Sequence, residues 1–163
     1  MIGFQPGGAG EPSIFGINPA TGESLQPGYT AVSGAELDRA VELAAGAFEV
    51  FARSSGEDRA AFLRKIAEKI EAIGDELAKR APQETGLPEG RIRMETGRTC
   101  GQLRLVAAVA EEGSWVDARS DHAEPGREPV PKPDVRSMQR PRGPVAVFCA
   151  SNFPLAFSVA GGD

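Results

Sequence analysis

Apolar side chains recur at intervals of three and four through most of residues 33–116, a spacing that predicts helices with one buried face. Ser33 and Glu36 form an S-x-x-E capping box, which predicts the start of a first helix. Ser54 or Ser55 begins a second helix. The predicted apolar faces of these helices comprise Leu37, Val41, Ala44, Phe48 and Phe51 in the first, and Phe62, Ile66, Ile70, Ile73 and Leu77 in the second.

Glycine and proline set the expected ends of the later helices. Gly74 predicts a bend or a break in the second helix. Pro82 lacks an N–H donor, which costs about 3 kcal/mol inside a helix, so we expect a kink or an early stop there. Gly86 is a good C-terminal stop, and Pro88 fits the first turn of a long further helix, roughly residues 88–116. The predicted inner face of that helix comprises Ile92, Thr96, Thr99, Leu103, Val106 and Ala110.

The composition is that of a globular protein that does not bind nucleic acid or an anionic membrane surface. Apolar residues make up 40% of the sequence and charged residues 25%, and the formal net charge is -5. An acidic balance disfavours polyanionic partners. Basic and acidic side chains alternate along the long helix, which we interpret as a solvated face: Glu89, Arg91, Arg93, Glu95, Arg98 and Arg104.

The cysteines and the N-terminus indicate a cytoplasmic protein. Cys100 and Cys149 form no C-x-x-C pair, so we expect neither a disulfide framework nor a metal site, and we interpret both as small core residues. The stretch MIGFQPGGAG lacks the basic and apolar regions of a signal peptide. No apolar run approaches the ~20 residues that span a bilayer. We expect His122, in a proline-rich stretch, to be an exposed loop residue.

The stretch PVAVF, residues 144–148, predicts a strand that is apolar on both faces, as in the middle of a covered sheet. Asn152 follows this strand closely. Because ligands bind at the carboxyl ends of strands in open α/β sheets, we expect Asn152 at the rim of a site. Its side-chain amide can donate to an oxyanion, a contact worth about 3 kcal/mol in acyl transfer. Alternatively, Asn152 only caps the turn or the helix that follows.

The order of motifs along the chain resembles the aldehyde dehydrogenase superfamily. GPVAVFCASNFPLAFSVAGGD at 143–163 is similar to the end of the first Rossmann strand of that family, with its Asn-Phe-Pro. NPATGE at 18–23 resembles the family's early hairpin, and 59–88, which contains Glu-Thr-Gly, resembles its helical pair. Ser151 before the Asn-Phe-Pro and GRTCGQLR at 97–104 resemble one branch, the 2-oxoglutarate semialdehyde (2,5-dioxopentanoate) dehydrogenases.

The resemblance implies an α/β fold, the N-terminal part of an aldehyde dehydrogenase with helices, a β-hairpin arm and the first strand of a Rossmann-type sheet. We therefore divide the chain into five parts. They are a mobile tail (1–12), a β-hairpin (13–32), the helical part of the cofactor-binding domain (33–116), a proline-rich crossing segment with a strand arm (117–142), and the truncated start of the Rossmann-type core (143–163).

The resemblance also implies roles for the residues around Asn152. Asn152 would be the oxyanion-hole amide that holds the thiohemiacetal oxygen. The side of the turn facing the nicotinamide of NADP or NAD would comprise Phe148, Ala150 and Ser151. Phe153 and Phe157 would contact the substrate, although Phe157 fits the core equally well. The implied reaction oxidises a small aldehyde, in this branch 2-oxoglutarate semialdehyde, to a carboxylate in a homo-oligomeric enzyme. No Asp or Glu cluster has the spacing of metal ligands, so we propose no metal.

Two departures from the family pattern define the alternative. The family's catalytic cysteine and general-base glutamate lie beyond the position of Asp163, so we expect the 163 residues alone to be inactive. Cys149 stands where we expect glycine in this branch, and a thiol would crowd the turn. The alternative is a truncated, non-catalytic fragment that acts only as an oligomerisation or interaction module.

Overall fold

Two helices packed against each other form the centre of the molecule. The computed structural model describes residues 1–8 and 10–159. Its helices are α1 (Gly34–Phe51), α2 (Gly56–Ala72), α3 (Gly74–Thr85) and α4 (Glu89–Glu112), with short 3-10 turns at Ser114–Val116 and Ala156–Ser158. Its strands are β1 (Ile14–Ile17), β2 (Ser24–Tyr29), β3 (Arg119–Asp121) and β4 (Val135–Ser137). The α2–α4 interface is the largest contact between these elements, and α3 also packs on α4.

Local sequence signals set the ends of the helices. Ser33 caps α1 in a complete capping box, in which Glu36 accepts a hydrogen bond from the Ser33 backbone N–H at 2.8 Å. Ser55 accepts a bond from the Asp58 backbone N–H and begins α2. Gly113, at φ 85°, is the left-handed residue that ends α4. The long helix therefore stops before the predicted limit near residue 116.

Pro82 does not stop α3 early. The helix includes Pro82 and continues to Thr85 before Gly86, at φ 71°, ends it. The last turn keeps other hydrogen bonds: the Gly86 N–H donates to the Pro82 carbonyl at 2.9 Å, and the Thr85 hydroxyl donates to the Ala81 carbonyl at 2.7 Å. These bonds hold the turn in spite of the donor that proline lacks, so the expected early stop is wrong.

The core at the α2–α4 interface is built from small side chains. Ala60 and Ala67 of α2 and Ala107 of α4 have no exposed surface, which lets the two helix backbones approach closely. Cys100 and Leu103 join Ala67 in one apolar cluster, with Leu63, Ile66, Ile70 and Val159 packed around it. The predicted inner face of α4 is correct at Ile92, Thr96, Thr99 and Leu103 but wrong at Val106, which is exposed.

Ion pairs flank this interface on the solvent side. Arg104 binds both carboxylate oxygens of Glu71 at 2.7 Å, and Arg64 binds Glu111 in the same bidentate way. Each guanidinium, through its hydrogen bonds, holds the pKa of its partner carboxyl below the usual value. Both pairs join α2 to α4, so they add geometric specificity to the apolar packing.

The apolar face of α1 stays largely in solvent. No residue of α1 is buried, and Leu37, Val41 and Phe51 are all exposed. Phe51 meets Phe62 of α2 edge to face, with ring centroids 5.8 Å apart. The capping box sets where α1 begins, and little of its apolar surface is covered.

Two antiparallel hairpins complete the described structure. β1 pairs with β2 across the Asn18–Gly22 turn, which the turn residues predict. β3 pairs with β4 in the register Arg119↔Ser137. The proline-rich segment contains the exposed strand β3. Its four prolines all lie in the loop between the two strands, where they remove no ladder hydrogen bond: Pro125, Pro129, Pro131 and Pro133.

The predicted first strand of a Rossmann-type sheet is not formed. Residues 144–148 have no regular structure, and Val145 and Phe148 are highly exposed. A strand needs a neighbour for its backbone N–H and C=O groups, and nothing within 1–8 and 10–159 pairs with this stretch. The described residues therefore form a mixed α/β structure of four helices and two small hairpins, without the predicted Rossmann-type strand.

The two cysteines lie in different environments. Cys100 is buried, its thiol lies 3.6 Å from the Ala67 carbonyl oxygen, and burial raises its pKa. Cys149 is exposed, so the interpretation of Cys149 as a core residue is wrong. It lies next to the unpaired stretch 144–148, and its exposure follows from the missing strand.

Among the helices described, none is long and apolar enough to cross a membrane.

Replacing Ala67 by leucine should destabilise the protein by about 1–3 kcal/mol, because the larger side chain overpacks a fully buried position between α2 and α4. Ala61→Leu, on the exposed side of the same helix, is the matched control and should change stability by less than about 0.5 kcal/mol. Urea unfolding followed by circular dichroism measures both changes. Equal effects of the two variants would contradict the packing described for α2 and α4.

A disulfide reagent such as dithionitrobenzoate should modify one thiol of the native chain quickly and the second only after unfolding. The thiolate is the reactive form, and burial both raises the pKa of Cys100 and blocks access to it. Cys149→Ser should abolish the fast phase, whereas Cys100→Ser should leave it intact. Two thiols that react at the same rate in the native chain would refute the burial of Cys100.

Candidate active site

A tight turn presents Asn152 to solvent. The Phe153 backbone N–H donates to the Ala150 carbonyl at 3.2 Å, so Ser151 and Asn152 are the two central residues of the turn. Both central residues are exposed, while Ala150 and Phe153 on either side are half-buried. The turn therefore leaves the Asn152 side-chain amide accessible to a ligand.

A short helical turn follows and places two aromatic rings together. Residues Ala156–Ser158 form a 3-10 turn, and the Phe157 N–H donates to the Phe153 carbonyl at 3.4 Å. The rings of Phe153 and Phe157 stack with centroids 4.4 Å apart and planes inclined by 11°. Both rings are half-buried and so offer a partly exposed apolar surface beside Asn152.

The buried carboxylate of Glu95 on α4 holds this segment. Glu95 is only 1% exposed. One of its oxygens accepts hydrogen bonds from the backbone N–H groups of Leu155 at 3.2 Å and Ala156 at 3.4 Å. The other oxygen accepts a bond from Arg91 Nε at 2.9 Å. Glu95 therefore links α4 to the backbone that follows the Asn152 turn.

Arg91 contacts the turn directly. Its Nη2 donates to the backbone carbonyl of Asn152 at 3.3 Å, and its guanidinium lies 4.1 Å from the ring centroid of Phe153, a cation–π distance. The interpretation of this part of α4 as a solvated face is therefore wrong at Glu95. The signal was available, since Glu95 lies three residues after Ile92 and four before Thr99 on the predicted inner face.

The structure brings only some of the predicted site residues together. Asn152, Phe153 and Phe157 lie in one segment against α4, with Arg91 and Glu95 as neighbours that the sequence interpretation did not include. Phe148 is 87% exposed and lies in the stretch without regular structure. Ala150 and Ser151 lie between Phe148 and Asn152, Ala150 at the start of the turn and Ser151 at its centre.

The chemistry of this arrangement is that of a hydrogen-bond donor. The Asn152 amide can donate to a developing oxyanion without changing its own charge. Cys149 is exposed nearby, but the single histidine, His122, is itself exposed in the β3–β4 loop, 3.9 Å from Asp134, and is not paired with a thiol. Within the described part of the chain, no group of three His, Cys, Asp or Glu side chains is placed to hold a metal ion.

Comparison with known proteins agrees with the motif order. Residues 8–161 match the aldehyde dehydrogenase family. The chain is 45% identical over its whole length to alpha-ketoglutaric semialdehyde dehydrogenase 2 of Azospirillum brasilense and 44% identical to alpha-ketoglutaric semialdehyde dehydrogenase of Acinetobacter baylyi. It spans 31% of the length of each of these relatives.

Solved structures match the same fold. Glyceraldehyde-3-phosphate dehydrogenase GapN from Methanocaldococcus jannaschii, complexed with NADP, covers 72% of this chain at 26% identity with a TM-score of 0.59, and 24% of that protein is matched. PnpE in complex with nicotinamide adenine dinucleotide covers 69% at 25% identity with a TM-score of 0.61, and 23% of that protein is matched. With a family match over nearly all of its residues, the chain belongs to the aldehyde dehydrogenase family.

Proposed function

We propose that this chain is the N-terminal part of a cytoplasmic, NAD(P)-dependent enzyme that oxidises 2-oxoglutarate semialdehyde to the dicarboxylate. The observation that carries the proposal is the Asn152 turn, an exposed amide on a backbone that α4 holds through Arg91 and the buried Glu95. The identity to two alpha-ketoglutaric semialdehyde dehydrogenases, which extends over the whole of this chain and 31% of each relative, supports the choice of substrate.

In the proposed mechanism, Asn152 acts on the aldehyde oxygen. A cysteine thiolate, supplied in the family from beyond this chain, attacks the aldehyde carbon, and the negative charge moves onto the carbonyl oxygen. The Asn152 amide donates a hydrogen bond to that oxygen and stabilises the charge as it develops. Because the turn is held before the substrate arrives, little reorganisation is needed when the charge forms. Phe153 and Phe157 then provide apolar surface against the carbon chain of the aldehyde.

The residues before Asn152 suit one face of a dinucleotide. The exposed ring of Phe148 offers an apolar plane, Ser151 an exposed hydroxyl, and half-buried Ala150 a small side chain that permits close approach. Bound NAD(P) supplies the hydride acceptor for the oxidation. The proposed roles of these three residues are contact and orientation only. We further propose a homo-oligomer for the whole enzyme, as the family resemblance implies.

A second candidate function is a non-catalytic interaction module. The observation that favours it is the exposed apolar face of α1, which includes Leu37, Val41 and Phe51. Such a surface is typical of a contact with another protein segment. In this alternative the 163 residues act as a fragment, and Asn152 has no catalytic role.

A chimera separates the two functions. In it, this chain replaces the matching 31% of the Azospirillum brasilense relative, and NAD(P)H formation from 2-oxoglutarate semialdehyde is measured. We expect activity from the chimera and none above buffer from the 163-residue chain alone. Asn152→Ala should lower kcat of the chimera by about 10²–10³-fold, because one oxyanion donor is lost.

Asn18→Ala is the matched control, since the Asn18 side chain accepts the Ala20 N–H at 2.9 Å within the β1–β2 turn and the proposed mechanism gives it no role. It should leave kcat within about twofold and lower stability by at most about 1 kcal/mol. A folded chimera without aldehyde oxidation would overturn the proposed function and favour the interaction module. Full activity of the Asn152→Ala chimera would exclude the oxyanion role of Asn152 but would leave the proposed aldehyde oxidation standing.

A further inference from the structure

Glu95 is a buried carboxylate whose side-chain partners within residues 1–8 and 10–159 are Arg91 of α4 and two backbone N–H groups of the segment after Asn152. Its two oxygens accept bonds from Arg91 Nε, Leu155 N–H and Ala156 N–H at 2.9, 3.2 and 3.4 Å. Only 1% of the residue is exposed, so water does not replace these donors. A buried charge is tolerated only when it is paired and hydrogen-bonded, which makes the positions of these three donors interdependent.

Two consecutive backbone N–H groups aimed at one carboxylate oxygen determine where the chain can lie. If residues 155–156 move away from α4, the Glu95 charge loses two of its three donors while it is still buried. Bonds to an ionised acceptor are shorter and stronger than those between neutral groups. The segment is therefore held against α4 by an interaction that depends on the charge of Glu95, beyond the contact of its apolar side chains.

Arg91 extends this link to Asn152 itself. The same guanidinium that binds Glu95 donates to the Asn152 carbonyl at 3.3 Å and lies over the Phe153 ring. Arg91 thus holds the Asn152 backbone at its carbonyl, and Glu95 holds the backbone N–H groups of residues 155 and 156. Between these points the Phe153 N–H closes the turn on Ala150. The Asn152 side chain, which none of these bonds uses, stays exposed on a restrained backbone.

We propose that Glu95 is a positioning residue that, together with Arg91, fixes the Asn152 turn on α4. Glu95 acts through the backbone N–H groups of Leu155 and Ala156, and through Arg91 on the Asn152 carbonyl. Its effect on catalysis rests on the proposed function, whereas its effect on the turn does not. In the whole enzyme, α4 thereby decides where the amide donor sits relative to the aldehyde oxygen.

Hydrogen exchange of the 163-residue chain tests the effect on the turn. Glu95→Gln keeps the shape of the side chain but removes its charge, and its single amide oxygen cannot accept both from Arg91 and from the two backbone N–H groups. We expect amide exchange at Leu155 and Ala156 to become at least about tenfold faster relative to the amides of the α2–α4 core. Arg91→Met, which keeps an unbranched apolar stem but removes the guanidinium, should speed exchange at Phe153.

Thr99→Val is the matched control. Thr99 is buried one turn further along α4, and its hydroxyl donates to the Glu95 backbone carbonyl within the same helix rather than to the 152–156 segment. The variant should alter exchange evenly over the chain. If Glu95→Gln also gives only an even change, or none at residues 155 and 156, then Glu95 is merely a core residue and the proposal is overturned.

The chimera tests the effect on catalysis separately. Glu95→Gln should lower kcat by about tenfold to a hundredfold, because a small misplacement of a catalytic group is sufficient for such a loss, while the KM for NAD(P) changes little. Thr99→Val should leave both constants close to those of the unchanged chimera. Unaltered kcat together with faster local exchange would remove the catalytic part of the proposal. An inactive parent chimera would overturn the proposed function, and the exchange ratio would still decide the role of Glu95.

Discussion

The close approach of α4 to α2 is the contact on which the rest of the structure depends. It is possible because Ala60, Ala67 and Ala107 have no side chain beyond Cβ at positions that are fully buried. Leu103 and Cys100 then fill the remaining space, and bidentate arginine–glutamate pairs hold the two helices together at the solvent side. A helix anchored in this way is a rigid support, and functional groups on rigid elements are placed more accurately than those on loops.

The same helix carries the polar contact that organises the candidate active site. Towards its N-terminal end α4 offers the carboxylate of Glu95 to the segment that follows Asn152. A backbone that begins a helical turn has free N–H groups, and an anion satisfies them. Burial makes this match obligatory, because a carboxylate without donors is costly away from water. A loop that has little regular structure of its own is thus held in place by its attachment to α4.

Local signals in the sequence were sufficient to predict most helix ends and the turns at Asn18–Gly22 and Ala150–Phe153. Ser33, Ser55 and Gly86 act through hydrogen bonds or backbone angles within a few residues, so their effect is visible without knowledge of the fold. Pro82 was misjudged because the hydrogen bonds of neighbouring residues compensate for its missing donor. The stretch 144–148 was misjudged for a different reason, since a strand depends on a partner that pattern alone does not supply.

The sequence by itself determined the family, the order of the helices and the identity of Asn152 as the candidate donor, because these rest on motifs and on short-range periodicity. Only the tertiary structure decided that Cys149 is exposed and that Glu95 is buried. Burial is a property of what packs against a residue, and the segment that covers Glu95 lies about sixty residues further along the chain. Charge alternation on α4 did not reveal that contact, although the spacing of Glu95 from Ile92 and Thr99 is that of the predicted inner face.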